Sequence, residues 1–347
     1  MNPLTDPGYL ERFFPRSGDG EDQIALAFYF GFYFPDGYLA ETRRRVLDVC
    51  RAYWRLCGGE LKWMTRPVAC TWRSVPDGYD IDAWERELAV ASYRKFAPGS
   101  AAAGTRAIDG EHPPGESEAA WLSSFASRDW MWSMIFHSGR GRSEAGAYQI
   151  LGLGNAVQRR RYSYLYLFVP PHWFAERDEH PLMRYLEWSA MLGARHGTAG
   201  LGIVPAEDEA IRGRTAGLAR SLAAQCPGLE ICDPLGQWGV AWGGLLSPNW
   251  LSMIDDDLIE SLGGPSALTE RIAGASPDGA VRLHRFDGGA VLSAGEHPAL
   301  YEDQTPGVPP EAYKVVAGLL KPIRSTRAWG FWGAANGGAD WLGRFDS

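Results

Sequence analysis

Histidine, serine and glycine are the residues of this chain whose spacing first bears on chemistry. Seven histidines are present, and three of them repeat one tripeptide: Glu111-His112-Pro113, Glu179-His180-Pro181 and Glu296-His297-Pro298. A helix-borne zinc site needs the His-Glu-x-x-His spacing, which does not occur; His172 and His180 are eight apart. Proline after each histidine predicts exposed turns instead. His137 and Ser138 are adjacent, so on a strand they point to opposite faces and share no proton. No Gly-x-Ser-x-Gly elbow is present. Gly152-Leu153-Gly154 and Gly200-Leu201-Gly202 each lack the third glycine of a dinucleotide loop. The first runs into Gln158-Arg159-Arg160-Arg161 and the second into Pro205. The expectation is no catalytic residue, no metal ligand set and no cofactor.

Carboxylates remain. Asp255-Asp256-Asp257 is the densest acidic step, and three carboxylates in a row suit a hard cation. The step stands where a helix begins ahead of Leu258-Ile259. Carboxylates there cap free N–H groups and complement the helix dipole. Glu207-Asp208-Glu209 opens another helix-like run, reaching Ala224, and Glu302-Asp303 lies in a loop. All eight read first as caps or solvated surface and second as residues that touch a partner.

The bulk numbers narrow the partner. The chain has 347 residues, 45% hydrophobic and 22% charged, which are globular values. Aromatic residues reach 12%, supplying large rigid contacts for a core or an interface. Trp63, Trp72, Trp130, Trp132, Trp173, Trp238 and Trp242 lie in or beside strand-like runs and are expected in the core. A net charge of −8 disfavours nucleic acid as direct partner. It suits a basic protein as well as it suits simple solubility. Five cysteines, Cys50, Cys57, Cys70, Cys226 and Cys232, include no CxxC pair. An odd count in so long a chain points to a reducing cytoplasm, with a Cys226–Cys232 loop bridge as the lesser alternative. The start, Met1-Asn2-Pro3-Leu4, has no basic region before an apolar run, and no apolar stretch is long enough to span a bilayer. No signal peptide, no membrane association and a cytoplasmic location are expected.

The positioning elements are strands and amphipathic helices. Ile24 to Phe34 alternates as a strand with both faces apolar. Pro35-Asp36-Gly37 ends it, and a helix follows with Leu39, Val46, Cys50, Tyr53 and Cys57 on one stripe. Arg43, Arg44, Arg51 and Arg55 fall largely away from that stripe. Gly58-Gly59 predicts a left-handed cap. Leu61 to Trp72 reads as one or two strands. A similar unit recurs: strand from Tyr162 to Val169, break at Pro170-Pro171, helix from Leu182 to Arg195 capped by Gly197, strand from Thr198 to Val204. Met131 to Phe136 and Ala147 to Leu153 are strand-like. Pro310 opens a helix whose stripe is Ala312, Val315, Val316, Leu319 and Leu320. Pro98 to Gly115, rich in Ala, Gly and Pro, reads as a linker, and Trp329 to Ser347 shows no period. The fold class is α+β: mixed or antiparallel sheets with amphipathic helices, the two similar units suggesting pseudo-repeated halves. The domain reading is an N-terminal half, 1–155, and a C-terminal half, 156–347, with one continuous domain as the alternative.

The last hundred residues carry a resemblance. They run Asn249-Trp250-Leu251, the acidic step, Leu258 to Gly264, Gly288 to Gly295 and Pro310 to Ala317. With Phe34-Pro35-Asp36-Gly37 and the Tyr164 to Val169 strand, this order resembles the type VI secretion immunity family of TsiV-like proteins. Tyr301-Glu302-Asp303-Gln304-Thr305 is longer and more polar than the resemblance leads one to expect. The resemblance implies an antitoxin without enzymatic activity. Such a protein binds a cognate effector, a basic nuclease in particular, and blocks its active site or substrate channel. Two rivals come from other classes: a glycosidase-like hydrolase with carboxylates far apart in sequence, and a carbohydrate-binding module using exposed tryptophans.

Overall fold

The computed structural model describes residues 24–67, 71–96, 116–155, 162–177, 179–327 and 341–346. The linker-like stretch from Pro98 to Gly115, Cys70, His112, the Gln158-Arg159-Arg160-Arg161 run and most of the Gly- and Trp-rich tail lie outside these residues.

The first strand, β1 (Ile24–Phe34), is aliphatic and then aromatic along its length with no charged residue, and the structure places it mid-sheet. It pairs antiparallel with β6 (Ser163–Val169) on one side and β7 (His196–Pro205) on the other. Outward from β6 come β5 (Gln149–Gly154), β4 (Trp132–His137), β2 (Trp63–Thr65) and β3 (Trp72–Ser74). Outward from β7 come β9 (Leu251–Asp255), β11 (Gly289–Ala294) and β10 (Val281–Phe286). The short β8 (Glu230–Ile231) adds the one parallel pairing between named strands, at Gly202 and Ile203 of β7. The result is a single 11-stranded open sheet with helices on both faces, an α+β fold. In the two strand–helix–strand units the second strands diverge. β7 lies two positions from β6, with β1 between them, whereas β2 lies four positions from β1. Their likeness is local and does not extend to topology.

Phe28, Phe30 and Phe32 line one face of β1. They lie under α1 (Ala40–Cys57) and α4 (Pro181–Leu192), with the Phe30 ring 5.0 Å from Trp188 and Phe32 5.1 Å from Tyr185. Farther along this face α2 (Ile81–Phe96) sets Trp84 edge-on to Trp132, and the short α3 (Glu118–Ser124) buries Trp121. The opposite face carries Tyr29 and Tyr33. Tyr29 donates to Thr198 Oγ1 at 3.0 Å, and the Tyr33 and Tyr166 hydroxyls lie 3.0 Å apart. Between them only glycine fits at position 31, because a Cβ there would meet the Tyr166 ring at 2.7 Å. This face is closed by α5 (Glu209–Gln225), α6 (Pro234–Ala241) and residues 341–346. Three more helices complete the described chain: α7 (Asp256–Ser261), α8 (Gly264–Ala275) and α9 (Glu311–Leu320).

Several local expectations need correcting. Arg43 is 1% exposed rather than solvated. Its Nη1 and Nη2 donate to the carbonyls of Arg128 and Phe125, each at 2.9 Å, so the turn after α3 supplies the acceptors that water would have supplied. Gly58 is right-handed (φ −60°), and the chain continues into a 3-10 turn. The glycine with φ 60° that caps α4 is Gly193, whereas Gly197 lies within β7, opposite Phe32. Trp63, Trp72 and Trp242 are half-buried, while Trp130, Trp132 and Trp173 are buried. Cys226 and Cys232 are both free thiols.

Candidate partner-binding surface

The structure gives each acidic step a structural task and sets the steps apart. Asp255 is the N-cap of α7, its Oδ1 accepting the Leu258 N–H at 2.9 Å. Its other oxygen and Asp257 both accept from Arg195 Nη1 at 3.1 Å, and Asp256 accepts from Arg285 at 2.7 Å. Burial pushes the Asp255 carboxyl above the usual carboxylate range, against the pull of the Leu258 N–H and the Arg195 charge. Asp256 and Asp257 are exposed despite these pairings, so they are the two members a partner can reach.

The second step lies at the opposite end of β7. That strand covers ten residues, which at about 3.3 Å each separates the steps by roughly 30 Å. Asp208 caps α5, its Oδ1 accepting from Ala210 at 3.0 Å and Ile211 at 3.2 Å. Glu209 is exposed on the first turn. Glu207 differs from both. Its backbone carbonyl accepts from Arg212 at 3.1 Å, but its carboxyl makes no hydrogen bond among the described residues. Burial raises its affinity for a proton, opposed by the charges of Arg212 and Arg142.

The third step caps α9. Glu302 Oε2 accepts the Glu311 N–H at 2.6 Å, and Asp303 is exposed with φ 41°. The loop is tied to the far end of α5 through Gly307 N–H and Gln225 O, 2.7 Å apart. The three steps therefore form three separate acidic places rather than one cluster.

Glu207 has company drawn from strands far apart in the chain. Together with Gln149, Tyr164, Arg212 and Asp233 it lines a cavity of about 30 Å³ on the tyrosine-bearing face, walled by Ile135, Leu151 and Phe168. Gln149 is fully buried, and its Oε1 has no hydrogen-bond partner. A glutamine inside an otherwise apolar strand, Gln149-Ile150-Leu151, is the one local signal that could have found it. The histidines behave as the turns suggested: His180 and His297 are exposed. His137 and His196 are buried, and burial lowers each to about 4. Among the described residues no group of three or more His, Cys, Asp or Glu is placed to hold a metal ion. Trp238 aside, no tryptophan among the described residues is exposed.

The fold defines a class, the α+β proteins built on one open, largely antiparallel sheet. The family model TsiV, type VI immunity for VRR-NUC, matches residues 99–345, and the chain belongs to that family. No curated protein matches it. Among solved structures it is similar to the Pseudomonas aeruginosa T6SS protein PA0821, at 17% identity and a TM-score of 0.70. The match covers 94% of this chain and 83% of that one, and at this identity it shows the shared fold. The protein is a type VI immunity protein.

Proposed function

We propose that the protein protects its cell by binding a cognate effector nuclease of the VRR-NUC type and covering the nuclease's active site or substrate channel. The family match over residues 99–345 carries this reading. The net charge of −8 supports it, because a nuclease must offer basic groups to phosphate and an acidic surface competes for that place. Asp256, Asp257, Glu209 and Asp303 are exposed acids suited to such contacts. Asp255, Asp208 and Glu302 serve mainly by holding helix ends in place. Inhibition by occlusion requires no catalysis from the immunity protein, no cofactor and no direct contact with nucleic acid. No helix among the described residues is long and apolar enough to cross a membrane, and action in the cytoplasm, where a nuclease meets DNA, fits the reading. The halves 1–155 and 156–347 are proposed to act as one unit, since β1 of the first half pairs with β6 and β7 of the second.

Growth rescue tests the proposal. The product of the neighbouring effector gene is expressed with and without this protein. Restored growth with an intact chromosome is the expected result. Cell death with DNA degradation, at equal expression of both proteins, contradicts it.

A further inference from the structure

The cavity beside Glu207 lies where the cover over the tyrosine-bearing face ends. On the covered side stand Asp233 and Pro234 at the start of α6; on the other are Ile135 and Leu151, cross-strand neighbours in β4 and β5. Both are half-buried, as are Ser133 and Leu153 next along the same face. A half-buried apolar path thus leads to a polar floor.

The floor has unfilled hydrogen-bonding capacity of one kind in particular. The Gln149 amide is oriented by its Nε2, which donates at 2.9 Å to the Gly146 carbonyl, an atom that only accepts. Its Oε1 is therefore left as an acceptor with no donor. The Glu207 carboxyl is a second acceptor without a hydrogen-bonded donor among the described residues, and Asp233, which accepts from Gly236 N–H as the cap of α6, is the other carboxylate in the lining. Arg212 supplies the opposing charge, its Nε also without a partner. Arg142 also bears on Glu207, so two carboxylates stand against two guanidiniums, and it is the open acceptors, Gln149 Oε1 and the Glu207 carboxyl, that favour an incoming hydrogen-bond donor. An anion would face Glu207, Asp233 and the Gln149 oxygen together.

We propose that this cavity is a socket for one basic side chain, an arginine or lysine, of the cognate effector. Its alkyl stem lies along Ile135 and Leu151, and its charged head reaches Glu207 and Gln149 Oε1. Long basic side chains bury their stems in this way while the head keeps polar company, and a buried basic anchor is a common centre of binding energy. The inference rests on the immunity reading for its partner. Water is the competing occupant, since a cavity of this size holds one or two molecules.

The fold does not depend on the Glu207 side chain, which makes no hydrogen bond here. Glu207→Gln should therefore leave the thermal midpoint unchanged while weakening effector binding by about 10-fold, and Glu207→Lys by about 100-fold or more. Asp303→Asn serves as the matched exposed control. In parallel, the isolated protein is titrated with n-butylguanidinium and with butyrate while the Gln149 side-chain amide is followed by NMR. A saturable shift with n-butylguanidinium, absent with butyrate and reduced in Glu207→Gln, is the expected result. If wild type inhibits the effector and both Glu207 variants bind as tightly as wild type, the socket is wrong and the immunity reading stands. No saturable shift, or a response to butyrate instead, also overturns the socket and leaves a water-filled cavity. If wild type fails to bind the effector, the immunity reading for that effector falls, and the guanidinium titration still decides whether the socket exists.

Discussion

Arg344 Nη2 and Glu230 Oε2 meet at 3.0 Å across 114 residues of chain, with both side chains 6% exposed. The Glu230 carboxylate also accepts from Trp341 Nε1 at 3.1 Å, and the Arg344 guanidinium sits 3.9 Å over the Trp341 ring. One buried ion pair therefore holds residues 341–346 against β8 and over the Tyr29 side of the sheet. Removing one partner strands a buried charge, which costs about 3–5 kcal/mol. Arg344→Met should lose that much in urea unfolding, and Glu230→Gln with Arg344→Met should lose less than the two single changes summed. Full additivity would show that the pair does not couple the tail to the sheet.

Trp250 is 1% exposed, donates to Gly295 O at 3.1 Å and stands edge-on to Phe28 at 5.9 Å. Trp250→Ala should destabilise by about 3–5 kcal/mol through the cavity it leaves. A thermal midpoint equal to that of wild type would contradict this burial.

The acidic step after β9 should divide under mutation. Asp255→Lys removes a cap, costing about 1 kcal/mol, and places a cation beside Arg195, so it lowers stability as well as any affinity. Asp256→Lys breaks only an exposed pair with Arg285 and should leave unfolding nearly unchanged. If this end of β7 faces the effector, Asp256→Lys weakens binding by itself. Unchanged affinity would remove the step from the interface and leave the Glu207 end.

Acid should weaken the fold through two histidines. Burial lowers His196 and His137 to about 4, against an unfolded value of about 6.5. Between these values the unfolded chain binds more protons than the folded one. Stability is therefore fully present above pH 6.5 and declines as pH falls from 6.5 towards 4. Each histidine contributes on the order of 2–3 kcal/mol to that decline. His196 Nε2 lies 3.0 Å from the Ala241 carbonyl, and His196→Gln should make the pH dependence of urea unfolding shallower by about half. An unaltered slope would mean that His196 does not titrate differently in the two states.

Much of the scaffold was legible because it is written in local patterns. The period-2 aromatic run of β1 matched its strand at both ends, and Asp208 and Asp255 cap helices where an acid precedes an apolar run. Arg43 was misread because an arginine off the apolar stripe looks solvated unless one knows that the carbonyls of Phe125 and Arg128 come round to meet it. The tail was opaque for a similar reason. Trp341 and Arg344 have no period, and their partner Glu230 is more than a hundred residues away. The cavity was illegible apart from the acid Glu207 and the glutamine that opens β5, since its lining draws on β4, β5, β6, β7 and the starts of α5 and α6. Local spacing reports neither a hydrogen bond left open nor strands meeting across a sheet.

The most direct measurement is DNA cleavage by the purified effector in the presence of increasing amounts of this protein. Cleavage should fall saturably to background as the two form a stable complex, with no change in the effector's integrity. Undiminished cleavage at saturating immunity protein would contradict it.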